Sequence, residues 1–356
     1  PIRPMLTTLA LAFGFSLAEA SAPFHTPPSP PLTVCVTGAS GYVASVLIQS
    51  LKERGYIVRG TVRDVNKYSE EALFQNVELH RADLLDEGSF DDAFRGCDAV
   101  FHCASPFLAK FSDPDMDLIE PAVNGTLNVL KAALKNKVKR VVITSSTAAI
   151  GPPQDTQNVP QDKVFNEDDW NTDSTRQNGA YRLSKTLAEK AAWDFSNKTG
   201  LEIAVINPSF VIGPPALGRA TGVSVETFVN MLNGKLKKSG VRPTCFGCVD
   251  VRDVAEGHIR ALENKQARGQ RFLLSSERGY NPLEFADILR RDATFSRYKL
   301  PDRLLGSIRF RPLYSRKRAE KILGIRFRSV NSSVLDMAAR LLSLGIIPQN
   351  PAQQTQ

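Results

Sequence analysis

The chain has 356 residues, of which 42% are hydrophobic and 23% charged, and a formal net charge of +8. That composition is globular, with room for one large domain or two modest ones, and it contains no apolar run long enough to cross a bilayer. Much of the excess charge lies between Arg297 and Arg328, where eleven Lys or Arg face only Asp302 and Glu320. A nucleic-acid face and a solvated amphipathic surface compete for that stretch. Apolar residues interleave with its charges, which favours the second, so no nucleic-acid partner is expected.

In chain order, residues 1–31 come first. "MLTTLALAFGFSLAEASA" has a short apolar centre, small residues at Ala18, Ala20 and Ala22, and Arg3 ahead of it. This is the pattern of a cleavable leader, followed by the proline-rich "PFHTPPSPP". It directs the chain to the secretory route, or onward to a plastid; without a working leader the chain is cytoplasmic. The N-x-S/T sequons at Asn124, Asn197 and Asn331 acquire meaning only in a secretory compartment.

From Leu32 a strand–helix rhythm sets in. "LTVCVTG" predicts a strand, "SVLIQSLKERG" a helix, "YIVRGTVR" and "VELHRAD" strands, and "SFDDAFRGC" a short helix. "DAVFHCAS" is a strand, "DLIEPAVNGTLNVLKAALKN" a long helix despite Pro121, and "KRVVITSS" a strand. "GAYRLSKTLAEKAAWDFSNKTG" is a helix with Gly200 at its C-cap, and "LEIAVINPS" the strand after it. Short apolar strands alternating with amphipathic helices specify an α/β fold, a doubly wound parallel sheet of Rossmann type over residues 32–212. After about Gly213 the rhythm weakens. Residues 213–347, with "GVSVETFVNMLNGKL", "RFLLSS", "NPLEFADILRR" and "SVLDMAARLLSL", form a smaller mixed α/β cap, some of whose elements return to the sheet; residues 348–356 are a tail.

Ligands of such sheets sit at the carboxyl ends of the strands, and the distinctive polar residues lie there. Gly38 permits a tight turn after the first strand, and Gly41 lets the backbone approach a pyrophosphate at a helix N-terminus. Ala44 allows close helix–strand packing. The spacing is GxxGxxA. At the tip of the second strand stand Arg63, Asp64 and Lys67. The two cations can clamp a 2′-phosphate, favouring NADP; Asp64 is the residue that would serve NAD. Asp83 contacts an adenine or caps the next helix, and Asn207-Pro208 ends a strand. Asn124 is polar at an inward helical spacing.

Tyr181 and Lys185, four apart, share a helix face. A phenol titrates near 10, too high for efficient acid–base work, and an adjacent ammonium favours its ionised form. That makes Tyr181 a usable proton donor to a carbonyl oxygen, and Ser146, ending the fifth strand, can hydrogen-bond the same oxygen or satisfy its own turn. No serine has the surroundings of a hydrolase nucleophile. Cys35, Cys97 and Cys103 read as buried small hydrophobes; Cys245 and Cys248, a lone "CFGC", read as inert thiols before a redox pair or zinc. No metal site is expected.

With these residues in order, the chain resembles the extended short-chain dehydrogenase/reductases, and within them the dihydroflavonol 4-reductase-like branch with cinnamoyl-CoA reductases and fungal-type aldehyde and ketone reductases. The resemblance runs from about Leu32 to Ile347 on "VTGASGYVA", "TVRD", "RADLLD", "FHCASP", "PAVNGTLNVL", "VVITSS", "YRLSK", "NPSFVIGP" and "VDVRDVAEGHI". Around the tyrosine, "NGAYRLSK" and "EDDWN" look closer to the fungal type. The resemblance implies an NADP(H)-dependent oxidoreductase reducing an aldehyde or ketone. It implies Ser146, Tyr181 and Lys185 as catalytic residues, and Gly38, Ser40, Gly41, Tyr42, Arg63, Lys67, Asp83, Leu84, Ala104, Tyr181, Lys185 and Pro208 at the cofactor. Asn124 falls where the superfamily often has a structural or proton-relay asparagine. The partner implied is a small carbonyl compound, and the protein a monomer or homodimer. Two other readings share the fold: an NAD-dependent 3β-hydroxysteroid dehydrogenase or nucleotide-sugar epimerase, and a non-catalytic dinucleotide sensor, which would commonly lack the Tyr–Lys pair.

Overall fold

The computed structural model describes residues 31–106, 112–153, 155–218 and 222–349. The expected leader, apart from Pro31, and all but the first two residues of the expected tail lie outside them. The strand–helix alternation is built as follows: β1 (Thr33–Thr37), α1 (Tyr42–Glu53), β2 (Ile57–Val62), β3 (Glu78–Arg81), α2 (Asp91–Phe94), β4 (Ala99–His102), α3 (Glu120–Lys135), β5 (Arg140–Thr144), β6 (Val164–Phe165), α4 (Ala180–Thr199) and β7 (Glu202–Pro208). The remainder supplies β8 (Phe210–Ile212), α5 (Val223–Leu232), α6 (Lys235–Ser239), β9 (Cys248–Asp250), α7 (Val251–Glu263), β10 (Arg271–Leu274), α8 (Pro282–Arg290), β11 (Leu313–Tyr314) and α9 (Val330–Ser343).

Seven strands form one parallel sheet in the order β10-β7-β5-β4-β1-β2-β3. Successive side chains of a strand point to opposite faces, and the sequence obeys that rule. Val34 and Val36 of β1 pack with Leu47, Ile48 and Leu51 of α1 and Val254 and Ile259 of α7. Cys35, between them, faces Phe90 and Phe94 around α2, Val129 and Leu130 of α3, and Ala192 of α4. Both faces are therefore covered, as near-continuous apolar strands require. The order reverses between β1 and β4, which opens a crevice at their carboxyl ends.

Two elements depart from the simple reading. Pro121 has no N–H for an intrahelical bond. A π-helical turn, Asp115–Ile119, precedes it, and α3 starts with Pro121 in its first turn. "RFLLSS" also leaves the cap: β10 pairs with β7 in the register Arg271↔Val205 and closes one edge of the main sheet. Its four residues are all buried: Phe272, Leu273 and Leu274 suit a strand covered on both sides, and Arg271 is paired with the buried Glu189.

The remaining helices enclose their own core, with Phe228 of α5, Phe285 of α8 and Met337 and Leu341 of α9. Phe228 and Phe285 stack with centroids 5.6 Å apart, and α8 opens on a capping box between Asn281 and Glu284. The basic stretch fastens this part. Arg311 meets Glu284 at 2.7 Å, Arg316 meets Glu320 at 2.9 Å, Arg318 meets Asp168 at 2.8 Å, and Arg328 pairs with the buried Asp253. No helix among the described residues is long and apolar enough to span a membrane.

Candidate active site

The turn after β1 is shaped by what it lacks. Gly38 adopts φ +64°, and a Cβ there would lie 3.0 Å from the Ala104 Cα at the end of β4. The two strand ends are drawn together by the Ala104 N–H donating to Thr37 Oγ1 at 3.0 Å. Gly41 caps α1 in extended conformation, with no side chain accepting from the helix and no acidic residue in the first turn. The first-turn N–H groups, which lack intrahelical acceptors, are left for an anion. Ser40 lies partly exposed in the turn itself. At the tip of β2, Arg63 and Lys67 are exposed and have no carboxylate partner among the described residues. Asp64 instead accepts from the Asn66 N–H at 3.1 Å, which turns its carboxylate into the local chain. Pairing of the glycine turn with two exposed cations, of which Lys67 stands 5.7 Å from the Tyr68 ring centre, fits a dinucleotide bearing an extra phosphate.

The carboxyl ends of β4 and β5 and the start of α4 bring the chemically active residues together. Ser146 caps a short turn after β5, its Oγ accepting from the Ala148 N–H at 3.1 Å. The same hydroxyl is hydrogen-bonded to Tyr181. Lys185, one turn along α4, has its Nζ 6.0 Å from the Tyr181 ring centre and donates to Ser105 Oγ at 2.9 Å. Burial pushes the Tyr181 phenol up, while the bond to Ser146 draws it back. Against the expected lowering by the adjacent ammonium, desolvation of the phenol prevails, and the lysine turns to Ser105. Burial also draws the Lys185 ammonium down to about 8, opposed by the Glu189 carboxylate.

The other expected positions divide. Pro208 ends β7 beside this crevice, facing Leu274 of β10. Asp83 accepts from the Leu85 N–H at 2.9 Å, so its carboxylate closes a turn. Leu84 presses against α3, where a Cβ on Gly125 would lie 2.9 Å from the Leu84 Cβ. Tyr42 directs its hydroxyl away from the turn to the Gly213 carbonyl, at 2.6 Å. Asn124 is exposed, in a groove with Glu87 and Lys131, because the buried stripe of α3 runs through Ala122, Gly125, Thr126, Val129 and Leu130. The inward spacing read for it is thereby corrected. Cys245 and Cys248 are free and buried, and burial pushes both thiols up, as inert thiols require. No cluster of metal-binding side chains exists among the described residues.

Sequence reasoning passed over Glu189. It lies eight residues after Tyr181 on the same face of α4, and its carboxylate is fully buried. It accepts from Arg271 Nε at 2.6 Å, Ser145 Oγ at 2.5 Å, Asn207 Nδ2 at 2.7 Å and Trp193 Nε1 at 3.3 Å. Asn207 Nδ2 also donates to the Ser146 carbonyl at 3.2 Å. The i, i+4, i+8 spacing was the available signal, but a glutamate on an amphipathic helix reads as solvated. Likewise the aspartate of "VDVRDVAEGHI" is architectural: Asp250 caps α7 and binds Arg252 and Ser333.

Comparison with known proteins identifies the family. The profile of the NAD dependent epimerase/dehydratase family matches residues 34–274. A cinnamoyl-CoA reductase of Medicago truncatula is 38% identical over 320 residues, spanning 86% of this chain and 95% of that one. Dihydroflavonol 4-reductase of Arabidopsis thaliana is 38% identical over 257 residues, covering 68% of this chain and 65% of its own. The crystal structure of Gre2 in complex with NADPH from Candida albicans is similar with a TM-score of 0.76 and 30% identity, over 88% of this chain and 99% of that one.

Proposed function

The chain belongs to the NAD dependent epimerase/dehydratase family, as an enzyme of the extended short-chain dehydrogenase/reductase type, and from that premise we propose that it reduces an aldehyde or ketone to an alcohol with NADPH. The observation that carries the reading is the contact of Ser146 with Tyr181, one helical turn from Lys185 and beside the glycine turn. The relatives support its direction, since those named above are reductases and one is bound to NADPH.

Gly38, Ser40 and Gly41 would hold the pyrophosphate against the free N–H groups of α1, with Ala104 forming the opposite wall. Arg63 and Lys67 would take the 2′-phosphate. When bound there, the reduced nicotinamide supplies the hydride. Tyr181 holds a proton at its hydroxyl and delivers it to the carbonyl oxygen. Burial suits that role, because it keeps the phenol protonated until charge develops on the substrate. The Ser146 hydroxyl donates to the same oxygen and stabilises its developing charge; loss of one such donor lowers kcat by about 10²–10³. Lys185, charged below about 8 and with its Nζ 6.0 Å from the Tyr181 ring centre, is placed to meet ribose hydroxyls.

The test is titration of the protein with NADPH and NADH, followed by absorbance assays on a panel of aldehydes and ketones. Turnover with NADPH that falls by about 10²-fold or more in Tyr181→Phe, with NADPH binding kept, is the expected result. Tight NADPH binding with no turnover on any carbonyl would refute the reading in favour of a sensor. Preference for NADH would remove the roles given to Arg63 and Lys67.

A further inference from the structure

Below the reacting groups lies a buried polar assembly that no step above uses. Glu189 of α4 is ion-paired with Arg271 of β10 at 2.6 Å, and Lys185 stands one turn earlier on its own helix. One carboxylate oxygen takes Arg271 Nε and Trp193 Nε1; the other takes Ser145 Oγ and Asn207 Nδ2. Asn207 divides its amide N–H groups between that oxygen and the Ser146 carbonyl. An inverted amide would set its oxygen against two acceptors, so the carboxylate dictates which way the amide points. Through these bonds α4, β5, β7 and β10 meet at one anion, directly beneath Ser146. The other groups facing Lys185 are Tyr181 from α4 and His102, Cys103 and Ser105 from the end of β4. Burial keeps His102 uncharged above about 3 and pushes the Cys103 thiol up to about 12. Glu189 is therefore the anion that offsets the lysine's desolvation at neutral pH.

We propose that Glu189 is the positioning residue of this site, holding Ser146 in register with Tyr181 and setting its carboxylate one helical turn from Lys185. The kinetic half of this inference rests on the reductase reading; the lysine half does not. The lysine half is read by competitive acetylation of the whole protein with acetic anhydride across pH, with Lys185 modification quantified by mass spectrometry. In Glu189→Gln, the buried Arg271 and the partly buried Lys185 lose the neighbouring carboxylate, and Lys185 labelling at pH 7 rises about fivefold over wild type. The alkaline limb of kcat moves to lower pH in step. Glu189→Asp retains the charge but withdraws it from Ser145 and Asn207. It leaves the lysine titration near wild type while kcat falls at least tenfold, and Ser145→Ala lowers kcat with the pH limb unmoved.

Circular dichroism and NADPH binding establish that each variant is folded. An unchanged Lys185 titration in folded Glu189→Gln overturns the charge role. Wild-type kcat in both Glu189→Asp and Ser145→Ala overturns the positioning role, and this pair decides it even where Glu189→Gln fails to fold. Should wild type reduce no carbonyl, the reductase reading falls, while the labelling result still stands or fails by itself.

Discussion

Replacing Gly38 by alanine separates two demands that the turn after β1 makes on its residue. The first is conformational: at φ +64° an L-residue with a Cβ is disfavoured by roughly 1–2 kcal/mol. The second is spatial. The new Cβ would stand 3.0 Å from the Ala104 Cα and 3.1 Å from its Cβ, so β4 or the turn must give way by a few tenths of an ångström. The obstructing atoms are backbone, and forced overpacking of this kind costs about 1–3 kcal/mol. Gly200, at the far end of α4, supplies the comparison. It has φ +77°, and nothing lies within 4 Å of its would-be Cβ. Gly200→Ala therefore carries the conformational term alone, partly offset by reduced entropy of the unfolded chain, and should lose about 1 kcal/mol. Gly38→Ala should lose about 2–5 kcal/mol by the sum of the two terms and bind NADPH at least tenfold more weakly, since the displaced turn carries the N–H groups of α1. Denaturant unfolding and fluorescence titration of NADPH measure both quantities. Equal stability loss in the two variants, with NADPH affinity unchanged in Gly38→Ala, would show that Ala104 does not confine the turn and that it does not hold the cofactor.

Two further outcomes follow from the site and its core. Arg63→Ser should weaken NADPH binding by about 10–100-fold, the worth of a charge-assisted hydrogen bond, while leaving NADH within about twofold. Equal losses for the two cofactors would place Arg63 elsewhere. His102 and His258 are buried, and burial draws them down to about 3 and about 4. The unfolded chain binds their protons near 6.5 while the folded one does not, so their contribution is complete above that pH and is lost progressively as pH falls towards 4. Thermal melts should record this decline, and His258→Gln should flatten it; an identical acid slope in that variant would exclude His258 as a cause.

The legibility of this chain follows the range of its interactions. β1, the glycine turn and α1 are read from adjacent residues, because strand period, turn conformation and helix period are all local properties. The Tyr181–Lys185 pair is equally local, and so is the Gly200 cap, which the structure shows at positive φ. Asn124 was misplaced through helix phase. The apolar stripe of α3 passes on either side of it, at Ala122 and Gly125, and Pro121 hides where the helix begins. The phenol's upward displacement was not legible, since burial depends on what the rest of the chain lays over it. Tyr42 illustrates the same limit: its partner, the Gly213 carbonyl, is 171 positions away. Glu189 needed β10 to be placed at the sheet edge before its partner Arg271 could be known.

The spacing of Tyr181, Lys185 and Glu189 along α4 makes that helix a gauge for the whole reaction centre. Steps of four residues advance about 6 Å each and nearly complete a turn, so the three side chains form one ladder about 12 Å long. Insertion of one residue between Tyr181 and Glu189 would rotate everything beyond it by about 100° and carry the glutamate off the ladder, with the helix itself intact. Length changes inside the eight residues that set the ladder's pitch are therefore ruinous even where they leave the helix folded.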